Sequence, residues 1–256
     1  FERDLKLMNR AHNAQEAKEC LSVATQYFDN ISIDLIYGMP DMSDARWQEN
    51  LDQAIALDIP HISSYALTVE PNTALQKFIE KGVVKPMDDA VAQKHFEILL
   101  AHMEKAGFEN YEFSNFGKPG YFSQNNTAYW TAKPYLGIGP SAHSFDGNTR
   151  SWNINNNPKY IKAIEANVLP IERENLSTTD KYNEYVMTGL RTIWGISLEK
   201  IEQDFGLKFK EYALQQAQKH IEEHLLFLDD HRIVVTKKGK FLSDGLASDL
   251  FLLNLS

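Results

Sequence analysis

Few side chains in this 256-residue chain are placed to do chemistry. Asp34 lies in Ile-Ser-Ile-Asp-Leu-Ile-Tyr-Gly-Met-Pro, residues 31–40, a β-branched run closed by Gly38 and Pro40. Such a run reads as a buried strand. Alternate strand residues face opposite sides, so Asp34 shares a face with Ser32 and Ile36, away from Ile33, Leu35 and Tyr37. A second strand is expected over His61–Thr68, with Ile62, Ser64, Ala66 and Thr68 on one face. The small Ser64 and Ala66 leave room there, and we expect Asp34 and Ala66 to face one cavity. A carboxylate in that place serves as an acceptor for a ligand, or else as a structural acid held by backbone or an arginine. Glu70 and Glu112 are the acids that would join Asp34 in a metal-free hydrolase, but no nucleophile motif accompanies them. The single cysteine, Cys20, sits on the helical stripe Ala17, Cys20, Leu21, Ala24, Phe28 and reads as a core thiol. One thiol makes no disulfide framework, holds no iron–sulfur cluster and suits a reducing cytoplasm. Finally, Phe116–Phe145 places seven aromatics in what reads as a Gly- and Pro-punctuated loop. Their faces suit stacking on a flat ligand, or a plug at a barrel mouth.

The elements that must hold these residues follow from caps and periodicity. Asn13 with Glu16 predicts a capping box opening a helix that runs to about Asp29. Ser43 caps a helix whose stripe is Trp47, Leu51, Ala54 and Ile55. Strand, helix, strand is a βαβ unit with parallel strands. A long helix is expected over about 88–106, a strand from Asn110, and strands within 136–144 and 149–153. Asn153–Pro158 is turn-rich and marks the expected boundary between residues 1–153 and 154–256. The second part shows helices at 178–193, 197–204 and 209–224, then a hairpin turning at Asp229 and Asp230, which is a winged-helix pattern. The composition is that of a globular protein, with 43% hydrophobic and 24% charged residues and no apolar run of membrane-spanning length. The net charge of −9 argues against a general binder of nucleic acid or anionic membranes.

Six stretches in order carry a resemblance: NRAHNAQEA, SIDLIYGMP, ISSYALTVEPNT, YEFSNFGKPGY, NNTAYW and YLGIGPSAHS. They resemble radical S-adenosylmethionine proteins related to oxygen-independent coproporphyrinogen III oxidase, and more closely the haem-chaperone (HemW-type) branch. The resemblance implies an α/β fold: the C-terminal portion of a partial (β/α)6 barrel followed by a mostly helical, winged-helix-like domain. It also implies S-adenosylmethionine and a [4Fe–4S] cluster in the full-length protein. The cluster ligands of the family, a C-x-x-x-C-x-x-C motif, are not in this chain. The chain is therefore expected to start after the fourth barrel strand and to assemble no cluster alone.

By the same resemblance Arg10 and Asp34 match residues at the S-adenosylmethionine site, and Ala66 matches one near its adenine. Gly137, Ile138 and Gly139 fall where backbone approaches cofactor or substrate; by itself a G-x-G is a turn. The branch carries H-N-x-x-Y-W where this chain has Asn125-Asn126-Thr127-Ala128-Tyr129-Trp130. Asn125 thus replaces a histidine implicated in haem binding, and an amide is a poor iron ligand. Phe122, Tyr129 and Trp130 are expected to border one cavity and stack on haem or porphyrin, with His143 and His12 as further family-matched positions. Two activities stay open, oxidative decarboxylation of coproporphyrinogen III and haem delivery to a receiving protein. A different class of function, nucleic-acid binding, is weakened by the charge of residues 178–256, ten Lys/Arg against twelve Asp/Glu.

Overall fold

The β-branched run does form a strand. The computed structural model describes residues 1–71 and 73–253. The chain divides into two units, Phe1–Ser123 and Gln124–Ser256. The first opens with α1 (Glu2–Leu7) and α2 (Ala14–Ala24), the latter entered through the Asn13/Glu16 capping box. Then come β1 (Ser32–Tyr37), α3 (Asp44–Ala56) and β2 (His61–Ala66). After α4 (Ala74–Glu80) and α5 (Asp89–Lys105), the stretch expected as one strand is a hairpin of β3 (Glu109–Asn110) and β4 (Asn115–Gly117). Its turn is held by Glu112, whose carboxylate accepts from Ser114 N and Asn115 Nδ2.

The sheet order is β1-β2-β4-β3, with β1 and β2 parallel and β4 antiparallel to β2. Among the described residues it is an open sheet, not a closed barrel, in keeping with a partial barrel. Trp47, Leu51, Phe96, Leu99 and Met103 pack α3 and α5 on its apolar face, against Tyr37 and Ile62. The indole N–H of Trp47 donates to the His95 carbonyl at 2.9 Å.

Two expectations fail in this unit. Cys20 is exposed: α2 buries none of its residues, and Tyr27 and Phe28 beyond it are 75% and 67% exposed. The stripe is only partly covered: Ala17, Leu21 and Ala24 are half-buried, while Cys20 and Phe28 are exposed. The register also sets Asp34 level with Ser63, and Ala66 level with Tyr37. Tyr37 faces the helices, so the Ala66 methyl points to the helix side and Asp34 to the other. Ser63 and Tyr65, rather than Ser64 and Ala66, are the neighbours of Asp34.

The second unit begins with α6 (Gln124–Trp130), a helix inside the stretch expected as loop. The glycines and prolines flank it and spare its seven residues. Strands β5 (His143–Phe145), β6 (Thr149–Asn153) and β7 (Ile171–Asn175) make one antiparallel sheet, with α7 (Asn157–Glu165) between β6 and β7. Asn153 pairs with Ile171, so the expected boundary at 153/154 falls inside this sheet.

Next come α8 (Thr178–Leu190), β8 (Ile196–Ser197), α9 (Leu198–Phe205), α10 (Leu207–Glu222), β9 (Leu226–Asp229), β10 (Arg232–Val235) and α11 (Ser243–Asp249). Three helices and the sheet β8-β10-β9 build the expected winged helix. The wing turns at Asp230 and His231, both at positive φ, as a two-residue hairpin requires. Its core joins Tyr182, Val186, Ile196, Ile201, Ala217 and Ile233.

Candidate functional site

Each unit carries one candidate site. In the first, Arg10, His12 and Asp34 line a cavity of about 270 Å³ together with Asp4, Met39 and Trp47. Arg10 follows α1, where its amide donates to the Leu5 carbonyl at 2.9 Å after Asn9 turns the chain at φ 54°. Asp34 sits mid-strand in β1 and is exposed on the face away from the helices. Asp4 anchors α1: buried, it lies 3.2 Å from Arg46 Nη2 of α3. The structure thus brings together Arg10 and Asp34, 24 positions apart in sequence. Ala66 is not among the lining residues and presents only its backbone near the C-terminal end of β2.

Beside Asp34 runs a polar network that the sequence reading missed. His61 Nδ1 is 2.7 Å from Ser32 Oγ, and its Nε2 is 2.8 Å from the Tyr111 hydroxyl. Ser63 Oγ donates to Asn115 Oδ1 at 2.7 Å. Burial holds the His61 pKa below its usual value, partly offset by the Asp34 carboxylate. Only the strand register, which pairs Ser32 with His61 and Ser63 with Asn115, collects these residues. Glu112 is buried and committed to the hairpin turn, so it offers no partner to Asp34 for hydrolysis.

In the second unit, Tyr129 and Trp130 at the end of α6 line a cavity of about 510 Å³ with Tyr135, Phe145, Tyr185 and Phe205. Tyr129 meets Tyr135 edge-on, with centroids 4.7 Å apart. Arg150 lies over the Phe145 ring and Arg191 over the Trp130 ring. Arg150 is also paired with Glu184 at 2.7 Å. The basic lining residues Arg150, Lys181 and Lys200 escaped the sequence reading. Each comes from a different element, and a lysine on a helix reads as a solvated face.

The other expected residues lie elsewhere. Phe122 belongs to the first unit and stacks on Tyr111, with centroids 4.4 Å apart and planes 16° from parallel. It is not among the residues that line the cavity of Tyr129 and Trp130. Asn125 is exposed near the start of α6, and His143 is exposed with its ring against Trp152. Neither lines the aromatic cavity. Gly137 has an internal reason to be glycine: a Cβ there would lie 2.1 Å from the His143 carbonyl oxygen. Asn153 Nδ2 donates to the carbonyls of Gly137 and Gly139, and Gly139 adopts φ +104°. The loop is clamped on its own sheet, with Ile138 84% exposed at its tip.

The donor sets can be tested against the cofactors of the family. A guanidinium, a carboxylate and an apolar wall suit S-adenosylmethionine, which carries an amino-acid group, ribose hydroxyls and an adenine. They do not suit an iron–sulfur cluster. Cys20 is the only thiol of the chain, and among the described residues no three His, Cys, Asp or Glu side chains gather as a metal site.

The open mixed sheet and the winged helix define a class. The family model described as the HemN C-terminal domain matches residues 176–242, from just before α8 to just beyond the wing. The solved structure of coproporphyrinogen III oxidase (HemN) from Escherichia coli, a radical SAM enzyme, superposes with a TM-score of 0.80. It covers 98% of this chain and 62% of that one at 20% identity, a likeness of fold. Along nearly its whole length the chain is similar to proteins of the HemN/HemW-type radical S-adenosylmethionine family.

Its relatives include the haem chaperone HemW of Mycobacterium tuberculosis, 31% identical over 250 residues, which are 97% of this chain and 62% of the relative. HemW of Bacillus subtilis is 29% identical over 95% of this chain and 65% of its own. The chain thus spans about three-fifths of the length of these relatives. Among the described residues no helix is long and apolar enough to cross a membrane.

Proposed function

We propose that the protein acts as a haem-binding chaperone of the HemW type rather than as a coproporphyrinogen oxidase. The similarity to haem chaperones along nearly the whole chain carries this reading. The aromatic cavity at Tyr129 and Trp130 supports it, since aromatic rings beside charged side chains suit a planar macrocycle that bears polar groups. In this reading Arg10 and Asp34 bind S-adenosylmethionine, the arginine at the cofactor's carboxylate and Asp34 as acceptor for its ammonium or hydroxyls. Ala66 contributes backbone near the adenine. The cofactor, when bound and reduced, supplies a carbon-centred radical. This chain, whose only thiol is Cys20, does not supply the thiolates of the reducing cluster.

Asn125 stands in place of the branch histidine but does not line the aromatic cavity, so in this reading the rings there hold the macrocycle by stacking. His143, exposed at the edge of β5, is the second position carried over for haem. Haem passes from this site to a receiving protein.

The test is a haem titration of the full-length protein with its cluster reconstituted, followed by the Soret band, beside an anaerobic assay of carbon dioxide release from coproporphyrinogen III. Saturable haem binding without decarboxylation is expected. Sustained decarboxylation would overturn the chaperone reading in favour of the oxidase.

A further inference from the structure

The aromatic cavity of the second unit has an uneven charge pattern. Of its basic lining residues, Arg150 is neutralised by Glu184 at 2.7 Å and Lys200 by Asp204 one turn along α9. Lys181, on the first turns of α8, is different. Its Nζ donates to Asn148 Oδ1 at 2.6 Å, and it has no ion pair among the described residues. Asn148 is itself fixed: its amide donates to Asp146 Oδ1 at 2.9 Å and its carbonyl accepts from Leu176 N at 3.0 Å. The turn between β5 and β6 therefore holds the ammonium group in place at the cavity wall without cancelling its charge.

An ammonium has three donors, and the amide oxygen uses one. Tyr129, Trp130, Tyr135 and Phe145 line the same cavity. A half-buried, positioned cation beside apolar ring faces recognises an anion borne on a flat hydrophobic body. A neutral flat ligand would gain the stacking and leave the cation unused. A small inorganic anion would gain the cation and leave the rings unused.

We propose that Lys181 is the carboxylate-anchoring residue of this cavity, taking a propionate of a tetrapyrrole whose ring lies on the aromatic wall. This rests on the macrocycle reading above and adds the polarity of the bound ring, with its carboxylate edge toward the β5–β6 turn and α8. Charge-assisted hydrogen bonds to carboxylates are the stronger kind, and losing one costs on the order of tenfold in affinity.

The experiment titrates the purified protein with haem and with haem dimethyl ester, in which both carboxylates are masked. Wild type, Lys181→Met and Lys181→Arg are compared. Expected are about tenfold weaker haem binding by Lys181→Met, substantial recovery in Lys181→Arg, and ester binding equal in all three. Ester and haem binding equally well to the wild type would overturn the proposal without any variant. So would equal weakening of both ligands by Lys181→Met, which would mark a structural role. Wild type that binds neither ligand would overturn the macrocycle reading and this inference with it, whereas haem binding indifferent to Lys181 overturns this inference alone.

Discussion

Mild acid should destabilise the first unit through two histidines. His95 is fully buried, and its Nδ1 accepts from Gly38 N at 3.2 Å. Its proton therefore sits on Nε2, 3.6 Å from Asp44. Protonating Nδ1 would turn an acceptor into a donor facing the Gly38 amide at the end of β1. Burial holds its pKa below 6.5, with Asp44 opposing that shift and Lys94 and Arg46 adding to it. His61 is held down in the same way by burial, with Asp34 opposing. For both, the unfolded state binds the proton more readily than the folded state. Their stabilisation is full above pH 6.5 and is lost as pH falls below it. Each histidine contributes a slope of up to about 1.4 kcal/mol per pH unit. At pH 5.5 the first unit is therefore less stable than at pH 7.5, in the same direction for both histidines. Asp41, Asp44 and Asp58 are held below their usual values mainly by hydrogen bonds from Lys85, Lys94 and Lys118, so they titrate well below this window. Urea unfolding at pH 7.5, 6.5 and 5.5 measures the slope, and His95→Asn should reduce it. A flat stability between pH 7.5 and 5.5, or an unchanged slope in the variant, would refute the reasoning.

Other outcomes follow from the two sites. Arg10→Ala and Asp34→Ala should each weaken S-adenosylmethionine binding by the purified protein about tenfold in calorimetry, with unchanged thermal melts because both side chains are exposed. Trp130→Ala should weaken haem binding about tenfold, whereas Asn125→His should tighten it and move the Soret band; no change in either variant would make the aromatic wall a structural plug. Gly137→Ala drives a methyl against the His143 carbonyl and should lower stability by about 1–3 kcal/mol, read as a lower urea midpoint.

Local signals in the sequence carried far. The Asn13/Glu16 box, the Ser43 cap, the Trp47 stripe and the two strands appear as read, because caps and periodicities are set by neighbours in sequence. The winged helix was legible for the same reason. What failed depends on long-range pairing. Strand parity gave the faces of β1 and β2 separately, but only the register shows that Ser63 and not Ser64 flanks Asp34. Cys20 fits a core stripe in pattern, and its exposure depends on what packs over α2. The candidate S-adenosylmethionine cavity was half legible: Asp34 by parity, Arg10 only by resemblance. In the aromatic cavity the rings stood out as an anomaly of composition. Lys181 and Arg150 did not, since a cation's partners decide its meaning and those partners lie 33 and 34 residues away.

The position of β1 at the end of the strand order β1-β2-β4-β3 has a further consequence. Among the described residues no strand pairs with its far side. In such a strand alternate amides bond to the neighbour and the others point outward. Deuterium would then enter β1 in a two-residue rhythm, outward amides within the opening time of the edge and inward ones only when β2 detaches. That rhythm would vanish in any assembly where another strand docks along β1, so the isotope pattern of six residues reports whether the sheet has been extended.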